Sequence, residues 1–405
     1  MKLGILGGSF NPVHLGHLFL AETALSALKL DRVVFIPAYR SPFKLNVAEM
    51  ETNTSDRINM LAASIEGDSR FAIDGCEIRR EGVSYTVNTL EDVIERYMPT
   101  GKPVLIIGDD LAADFPKWRD SEKILQLADI AVARRINAAP VSYPFSHIVI
   151  ENQVMNVSSQ EIRQMIAESA SGKESNWQSL VPAGAREIIE ARKLYGLSGA
   201  PQSMQPENLP VQEQTDENGI QADIRRIERA ARETLSTERF LHSRNTALQA
   251  SDMCSRLGLN HQEGYLAGIA HDLAKQIDNR QLLEIVKSDG QEITSLENER
   301  PNLLHGKAAA VLLRERFNIH NKEVIDAVAV HTSGCEDIGQ LAKVIYIADK
   351  TDASRSIDPA LRKMCREDNL DNILLAVIDK AIIKIKAKGL ELSEDTLKML
   401  SRIKE

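Results

Sequence analysis

Two histidines near the amino terminus lie where a short apolar run meets a pair of glycines. The run KLGIL leads into GGSFNPVHLGH, residues 7–17, in which His14 and His17 are three positions apart. Glycines at the end of a strand allow phosphates to approach backbone amides, and a helix beginning near His17 offers its positive end to anions. Both imidazoles can donate to phosphate oxygens and stabilise charge that builds during attack on phosphorus. A lone H-x-x-H is more simply two surface histidines, but this pattern is longer and its glycines and helix start suit a phosphate-binding site.

A second set of histidines lies in the C-terminal half, in the order H, HD, H, H and finally D. The segments are ERFLHS, AGIAHDLAK, NLLHGK, VHTSG and YIADK. Adjacent His271 and Asp272 on one helix can both turn toward a metal, and other helices can complete a His/carboxylate set suited to a divalent transition metal. Lys275, three residues beyond Asp272, faces the same side and can neutralise phosphate charge. The order predicts a metal centre.

Different elements must position these two sets. In the first half, short β-branched runs such as RVVFIPA, FAIDGCEI, PVLIIG, DIAVARR and HIVIE alternate with helical patterns such as HLFLAETALSALK and TVNTLEDVIERY. This alternation predicts an α/β, Rossmann-like, doubly wound parallel sheet over residues 1–197. Residues 198–219, rich in Pro, Gln, Glu, Ser and Asn, predict a flexible linker. Residues 220–405 repeat the helical period and predict an all-α domain.

Composition limits the class of protein. The 405 residues are about twice a usual domain length, which favours two domains. The formal charge of −9 argues against a dedicated nucleic-acid binder. Four cysteines without a C-x-x-C pair argue against disulfides, and no apolar window is long enough to span a membrane. We therefore expect a cytoplasmic protein with no membrane or nucleic-acid partner, and the sequence is compatible with a homo-oligomer.

The N-terminal motif carries a family resemblance. GGSFNPVHLGH resembles the nucleotidyltransferase signature of the adenylyltransferases, whose H-x-G-H motif binds the triphosphate. IPAYRSPFK, residues 36–44, resembles the family's P-x-x-x-P-P-H-K element, with Phe43 in place of the usual His and Lys44 as a phosphate ligand. NVSSQEIR, residues 156–163, resembles I-S-S-T-x-I-R, with Gln160 in place of a small residue. The group includes pantetheine-phosphate, nicotinamide-nucleotide and nicotinate-nucleotide enzymes.

Two further segments, SYTVNTL and IIGDDLAADFPKW, resemble the bacterial nicotinate-nucleotide form. The resemblance implies that Thr86 and Trp118 contact nicotinate mononucleotide. It implies nucleotide contacts from Gly7, Gly8, Ser9, Phe10, Asp109, Ser158 and Ser159. It implies catalytic contributions from His14, His17, Lys44 and Arg163.

The implied reaction is transfer of AMP from ATP to nicotinate mononucleotide, giving nicotinate adenine dinucleotide and pyrophosphate. The mononucleotide phosphate attacks the α-phosphorus directly, with Mg²⁺ and without a covalent protein intermediate. A preference for nicotinamide mononucleotide remains an alternative.

The C-terminal series resembles the HD-domain metal phosphohydrolases. LLHGKAAA, HTSG and KVIYIADK further resemble the bacterial subgroup that splits diadenosine tetraphosphate symmetrically into two ADP. The implied metal ligands are His242, His271, Asp272 and Asp349, in a two-metal centre that is commonly iron. His305 and His331 are implied to be outer ligands or phosphate contacts, with Thr332 and Lys275 beside the phosphates. Two alternatives stay open: another nucleotide substrate, such as a guanosine alarmone, or a non-catalytic nucleotide sensor that regulates the first domain.

Overall fold

The computed structural model describes residues 1–42, 53–135, 142–154, 157–197, 219–387, 389 and 391–404. The chain forms two compact units, Met1–Ser203 and Met204–Glu405. Residues 198–218 of the predicted linker lie outside the described residues, as does Lys44. Among the residues described, no helix has both the length and the apolar character needed to cross a bilayer.

The N-terminal unit contains a parallel six-stranded sheet, as the strand and helix alternation predicts. The strand order is β3-β2-β1-β4-β5-β6. The bounds are Leu3–Gly8 for β1, Arg32–Pro37 for β2, Phe71–Ile73 for β3, Val104–Gly108 for β4, Asp129–Arg135 for β5 and Ile148–Val154 for β6. The chain winds outward in opposite directions from β1 and β4, so a crevice opens at the carboxyl ends of these two strands. The Rossmann-like, doubly wound prediction is confirmed.

Eight α-helices accompany the described part of this sheet. They are α1 (Leu15–Ala27), α2 (Thr54–Ser64), α3 (Cys76–Arg80), α4 (Thr86–Tyr97), α5 (Asp109–Ala112), α6 (Ser121–Leu127), α7 (Ser159–Ala170) and α8 (Ala183–Ala191). Short 3-10 turns lie at Phe115–Lys117, Trp177–Ser179 and Leu194–Gly196. Helix α4 shows why such segments fold this way, because its apolar positions Val87, Leu90, Val93 and Tyr97 recur at helical spacing and are all buried.

Two local expectations differ from the structure. Helix α1 begins at Leu15, two residues earlier than the start expected near His17. The run FAIDGCEI forms a strand only as far as Ile73. The Asp74 carboxylate then accepts the Cys76 backbone N–H at 2.9 Å, which turns the chain into α3.

The C-terminal unit is helical throughout its described residues, so the all-α prediction is confirmed. Its helices are α9 (Ile220–Thr234), α10 (Thr237–Leu257), α11 (His261–Ala270), α12 (Asn279–Ser288), α13 (Ser295–Glu299), α14 (His305–Glu315), α15 (Lys322–Val330), α16 (Gln340–Thr351), α17 (Pro359–Glu367), α18 (Leu370–Ala387) and α19 (Glu394–Lys404). A Cβ atom at Gly268 would lie 2.5 Å from the Ala247 Cα, so only glycine permits this approach of α10 and α11. The approach brings His242 of α10 near His271, which follows α11.

Candidate active sites

The first site begins at the loop between β1 and α1. His14 is the N-cap of α1, and its backbone N–H donates to His17 Nδ1 at 3.2 Å. The two imidazoles stack with ring centroids 3.7 Å apart. Because Nδ1 of His17 accepts this bond, the neutral ring carries its proton on Nε2, where it can be donated. The structure therefore brings the two predicted histidines together at the positive end of a helix.

The glycines of this loop serve different purposes. A Cβ atom at Gly7 would meet no atom within 4 Å, so this position leaves the backbone open to a ligand. A Cβ atom at Gly8 would lie 3.0 Å from the Phe10 ring, and one at Gly16 would lie 3.0 Å from His14 Nδ1. Gly8 and Gly16 therefore allow the loop side chains to pack, whereas Gly7 keeps space free.

The start of α7 lies against the same loop. The Ser159 hydroxyl donates to the Pro12 carbonyl at 2.9 Å, and the Arg163 guanidinium donates to the Asn11 carbonyl at 2.7 Å. Ser158 is the N-cap of α7, and its hydroxyl lies 2.8 Å from a Glu161 carboxylate oxygen. The structure thus brings these three predicted residues to the loop, with Ser159 and Arg163 bonded to its main chain.

Arg57 is a component of this site that the sequence analysis missed. Its guanidinium donates to the carbonyls of Ser9 and Ala38, each at 2.8 Å, and so joins the segments that follow β1 and β2. Burial lowers the pKa of Arg57. The available signal was an arginine on the face of α2 that also carries buried apolar residues. The Tyr195 hydroxyl likewise donates to Asn11 Oδ1 at 2.7 Å, across 184 residues of sequence, and no local motif marks it.

The residues expected at the nicotinate end lie on two neighbouring segments. Thr86 is the first residue of α4, and Trp118 follows the 3-10 turn Phe115–Lys117. The Arg119 guanidinium carbon lies 4.5 Å from the centroid of the Tyr85 ring, which brings the two segments together. Asp109 directly follows β4, at the crevice between β4 and β1.

The second site is a convergence of four histidines with two aspartates. Three of the histidines share one arrangement, in which Nδ1 lies 2.7 or 2.8 Å from the carbonyl oxygen three residues earlier; these are His271, His305 and His331. The carbonyl holds a proton on Nδ1 and directs Nε2 at the centre. His242 is oriented in the same way by a carboxylate, since its Nδ1 lies 3.1 Å from Asp352 Oδ2.

The Nε2 atoms that face the centre lie close to carboxylate oxygens. His242 Nε2 is 3.0 Å from Asp349 Oδ1, and His305 Nε2 is 3.2 Å from Asp272 Oδ1. His271 Nε2 is fully buried with no hydrogen-bond partner among the described residues. Its nearest carboxylate oxygens are 3.4 Å away on Asp272 and 3.6 Å away on Asp349. Ligand atoms about 3 to 3.5 Å apart are the spacing expected around an ion with bonds of about 2.0–2.2 Å.

Two overlapping groups of ligand atoms each lie within 4.8 Å of one another. The first group consists of His242, His271 and Asp349. The second consists of His271, Asp272 and His331. Imidazole and carboxylate are the ligands that suit divalent transition metals. The orphaned His271 Nε2 and the mixed donor set fit such an ion, and His271 belongs to both groups.

The electrostatics of the site favour a cation. Burial lowers the pKa of His271, but the neighbouring carboxylates of Asp272 and Asp349 outweigh it and raise the pKa to about 10. Burial raises the pKa of both carboxyls, yet Lys350 and the histidines hold the pKa of Asp349 well below its usual value, and histidines do the same for Asp272. Burial and the adjacent His305 and His271 hold the pKa of His331 well below its usual value. The site therefore keeps ionised carboxylates and a neutral His331, which are the forms that bind metals. At His271 the carboxylates favour a second proton, and a metal ion would take the place of that proton.

Four cationic side chains surround the ligands, and the sequence analysis anticipated one of them. Lys275 Nζ lies 3.1 Å from His305 Nε2, and burial lowers the pKa of Lys275. Arg239 donates to Asp272 Oδ2 at 2.8 Å, Lys350 to Asp349 Oδ2 at 3.2 Å, and Arg355 to Asp349 Oδ1 at 3.1 Å. Arg239, Lys350 and Arg355 were not predicted from the sequence. Their positions gave little indication of a role, since Lys350 adjoins Asp349, Arg239 lies three residues before His242 on α10, and Arg355 follows α16.

Thr332 also lies at this site. Its hydroxyl is 3.3 Å from Nε2 of both His305 and His331. Asp352, which orients His242, was missed although it lies only three residues beyond Asp349. All the residues predicted for this centre are therefore brought together, along with one carboxylate and three cations that were not predicted.

Comparison with known proteins agrees with this division. The Cytidylyltransferase-like family model matches residues 5–165, and the HD domain model matches residues 239–354. The probable nicotinate-nucleotide adenylyltransferase of Borreliella burgdorferi is 38% identical over 195 residues, which are 48% of this chain and 97% of the relative. The protein of the same name from Treponema pallidum is 37% identical over an alignment of 209 positions, which covers 48% of this chain and 99% of the relative.

Among solved structures, one match is a crystal structure of a predicted HD superfamily hydrolase involved in NAD metabolism from Clostridium acetobutylicum. It is 28% identical, has a TM-score of 0.42, and covers 44% of this chain and 94% of that one. The N-terminal match includes nearly the whole length of curated relatives, and the HD model spans the helices that hold the second site. The chain therefore belongs, through its N-terminal half, to the nicotinate-nucleotide adenylyltransferase family, and it joins that half to a C-terminal HD domain.

Proposed function

We propose that the N-terminal unit transfers AMP from ATP to nicotinate mononucleotide, releasing pyrophosphate and forming nicotinate adenine dinucleotide. The observation that carries this proposal is the stacked pair His14 and His17 at the start of α1, beside the carboxyl end of β1. A phosphate nucleophile is already ionised near neutral pH, so no side-chain base is needed. Mg²⁺ bound to the ATP phosphates supplies charge neutralisation at phosphorus.

The chain's own residues bind and orient the two substrates. His17 donates from Nε2 to the triphosphate, while the α1 dipole favours the charge that builds on its oxygens. Gly7 leaves room for the nucleotide to approach the backbone. The proposed nucleotide contacts continue through Gly8, Ser9, Phe10, Asp109, Ser158 and Ser159. Lys44 and Arg163 are proposed to contact phosphates, and Thr86 and Trp118 the nicotinate ring.

We infer that the HD domain is a metal-dependent phosphohydrolase, and we propose diadenosine tetraphosphate as its substrate, cleaved to two ADP. Its support is the set of His242, His271, Asp272 and Asp349, whose donor atoms converge in two overlapping groups. When bound, divalent metal ions supply a Lewis acid at phosphorus and lower the pKa of the attacking water. Iron is the proposed metal.

The cations around these ligands favour a substrate with several phosphates. Arg239, Lys275, Lys350 and Arg355 come from different parts of the unit and converge on one centre. A phosphate chain with several negative charges can engage more than one of them, which a single phosphate monoester cannot do as fully. A guanosine alarmone also carries several phosphates that these cations could engage, so that nucleotide is the second candidate substrate.

One substitution in each unit tests the two activities separately in the full-length, metal-reconstituted protein. One assay supplies ATP with nicotinate mononucleotide, and the other supplies diadenosine tetraphosphate. His17→Ala should lower dinucleotide synthesis by about 10²- to 10³-fold, because it removes a donor to the transition state. Asp272→Asn should lower ADP release by about 10³-fold, because a ligand worth several kcal/mol of charge stabilisation is lost.

Each variant is the control for the other, since each should retain the activity of the intact unit. Loss of both activities from one substitution would contradict independent catalysis. Dinucleotide synthesis without ADP release would refute the tetraphosphate assignment and direct a panel of other nucleotides to the HD domain. Tight nucleotide binding without hydrolysis, coupled to a change in the N-terminal rate, would favour the sensor alternative.

A further inference from the structure

A cationic side chain lies at the end of the N-terminal site proposed for the nicotinate ring. Arg119 directly follows Trp118, and its guanidinium carbon is 4.5 Å from the centroid of the Tyr85 ring. Tyr85 in turn directly precedes Thr86, the first residue of α4. The contact between Arg119 and Tyr85 therefore joins the sequence neighbours of both proposed ring contacts.

Hydrogen bonds fix the segment on which this cation stacks. The Ser84 backbone N–H donates to the Arg40 carbonyl at 2.8 Å. The Tyr39 backbone N–H donates to the Ser84 hydroxyl at 3.0 Å. The segment that carries Tyr85 is thus hydrogen-bonded, through Ser84, to the chain that leaves the carboxyl end of β2. Strand β2 pairs with β1. The contact with Tyr85 therefore places Arg119 beside the segment that is bonded to the chain after β2.

The geometry leaves the guanidinium able to bind a carboxylate. The Arg119 guanidinium lies over the Tyr85 ring, and a guanidinium carries its N–H donors in a rigid plane that can meet both oxygens of a carboxylate. The neighbouring carboxylate is that of Asp120, 3.7 Å from Arg119 Nε, and the two side chains are 57% and 58% exposed. Such an exposed pair contributes little free energy. A ligand carboxylate that meets the fork of N–H groups can therefore replace Asp120 at small cost.

The start of α4 adds to the preference for an anion. This twelve-residue helix has no acidic residue in its first turn, so its positive end is not neutralised there. Nicotinate carries a carboxylate, whereas nicotinamide carries a neutral amide. Backbone N–H groups can donate to either one, but a guanidinium distinguishes the charged group from the neutral one.

We propose that Arg119 is a specificity-determining residue that selects nicotinate mononucleotide over nicotinamide mononucleotide. The inference rests on the proposed adenylyl transfer and deepens it. In this arrangement the Arg119 fork binds the pyridine carboxylate, Trp118 and Thr86 position the ring, and Tyr85 holds the guanidinium in place.

Steady-state kinetics of the full-length protein with both mononucleotides test this role. Arg119→Gln should lower the ratio of kcat/KM for the acid to kcat/KM for the amide at least tenfold, mainly by raising KM for the acid. Arg119→Lys should lose less, because it keeps the charge but not the fork. Asp120→Asn should shift the ratio the other way, because it removes the competing carboxylate. Arg70→Gln is the matched control, since Arg70 pairs with Glu22 and Asp68 away from this segment.

The outcomes separate this inference from the activity on which it rests. An unchanged ratio in Arg119→Gln, or equal losses with both mononucleotides, overturns the assignment of Arg119. A wild-type protein that adenylates neither mononucleotide overturns the proposed function itself. A fall in the ratio that Arg119→Lys partly restores supports the inference, because a merely structural residue would not discriminate between acid and amide.

Discussion

In the N-terminal unit, side chains hold the main chain of the loop after β1, whereas in the C-terminal unit the main chain holds the side chains that meet at the centre. Three carbonyl groups of the loop accept hydrogen bonds from Arg57, Ser159 and Arg163. At the second site, three carbonyl groups instead fix the imidazoles that point inward. The first site is thus a shaped backbone, and the second is a set of directed ligands.

Buried charge is distributed in a corresponding way. In the N-terminal unit, Asp74 is buried between Arg79 and Arg96 and ties β3 to α3 and α4. In the C-terminal unit, the buried carboxylate of Asp272 and the half-buried carboxylate of Asp349 are part of the site itself. Substitution of Asp74 should therefore affect folding of the first unit, whereas substitution of Asp272 or Asp349 should affect chemistry in the second.

The sharpest way to break this comparison is to alter the orientation of a ligand in the second site. Asp352→Asn keeps the size of the side chain but removes the charge that holds His242 Nδ1 at 3.1 Å. Loss of a partner that orients a metal ligand lowers metal affinity or activity by about 10- to 100-fold. We therefore expect the rate of hydrolysis to fall by about this factor while the rate of AMP transfer stays unchanged. Metal content by elemental analysis and metal affinity by chelator competition check it.

Asp371→Asn is the matched control, because Asp371 is a 55%-exposed partner of Lys343 in the same unit. Wild-type metal affinity in Asp352→Asn would contradict the orienting role of this carboxylate. Equal losses in Asp352→Asn and Asp371→Asn would point to a general effect of charge on the unit.

A smaller effect is expected from a residue that holds the main chain in the first site. Arg57→Gln leaves the carbonyls of Ser9 and Ala38 without their donor, which costs about 1–3 kcal/mol for buried groups. If roughly 1.4 kcal/mol of this is felt in the transition state, AMP transfer falls about tenfold. The fall should come with a raised KM for ATP, because the loop loses its shape, and hydrolysis should not change.

Arg57→Lys should recover part of this loss, since a lysine can still donate to one carbonyl, and steady-state kinetics with varied ATP measure both variants. Arg70→Gln is again the control, because Arg70 has no contact with the loop among its described partners. A kcat and KM for ATP unchanged in Arg57→Gln would show that the loop keeps its shape without this arginine.

The same contrast explains which parts of the sites the sequence could predict. His14, His17, His271 and Asp272 stand in compact motifs, so residue type and order indicate what chemistry to expect of them. Their elements were predicted less well, because α11 ends at Ala270 and His271 and Asp272 lie in the turn after it, not on one helix. Arg57 donates to backbone carbonyl oxygens, which every residue carries. No sequence motif in the loop therefore indicates that Arg57 binds there.

Long-range partners were beyond prediction for a related reason. Tyr195 meets Asn11 across 184 residues, and only the fold brings them together. Arg239 and Arg355 approach Asp272 and Asp349 through helix packing whose geometry the helical period does not specify. The run FAIDGCEI was predicted to be a longer strand than β3, because its apolar pattern does not show that Asp74 turns the chain.

The last prediction concerns stability and separates the two uses of buried charge. Burial alone would raise the pKa of Asp74, but Arg96 and Arg79 outweigh it and hold the pKa below its usual value. A carboxyl whose pKa is depressed on folding stabilises the protein above its unfolded pKa, and this contribution is lost as pH falls below about 4. Asp74→Asn should remove this pH dependence and lower the free energy of unfolding near pH 7 by about 3 kcal/mol.

Urea unfolding followed by tryptophan fluorescence at several pH values measures this in the N-terminal unit alone, because both tryptophans of the chain, Trp118 and Trp177, lie there. Asp92→Asn is the matched control, since Asp92 also pairs with Arg96 but is 34% exposed and should contribute less. Hydrolysis by the HD domain should be the same in both variants. A loss of hydrolysis in Asp74→Asn would instead mean that buried charge in the first unit supports the second site, and the contrast between the two units would fail.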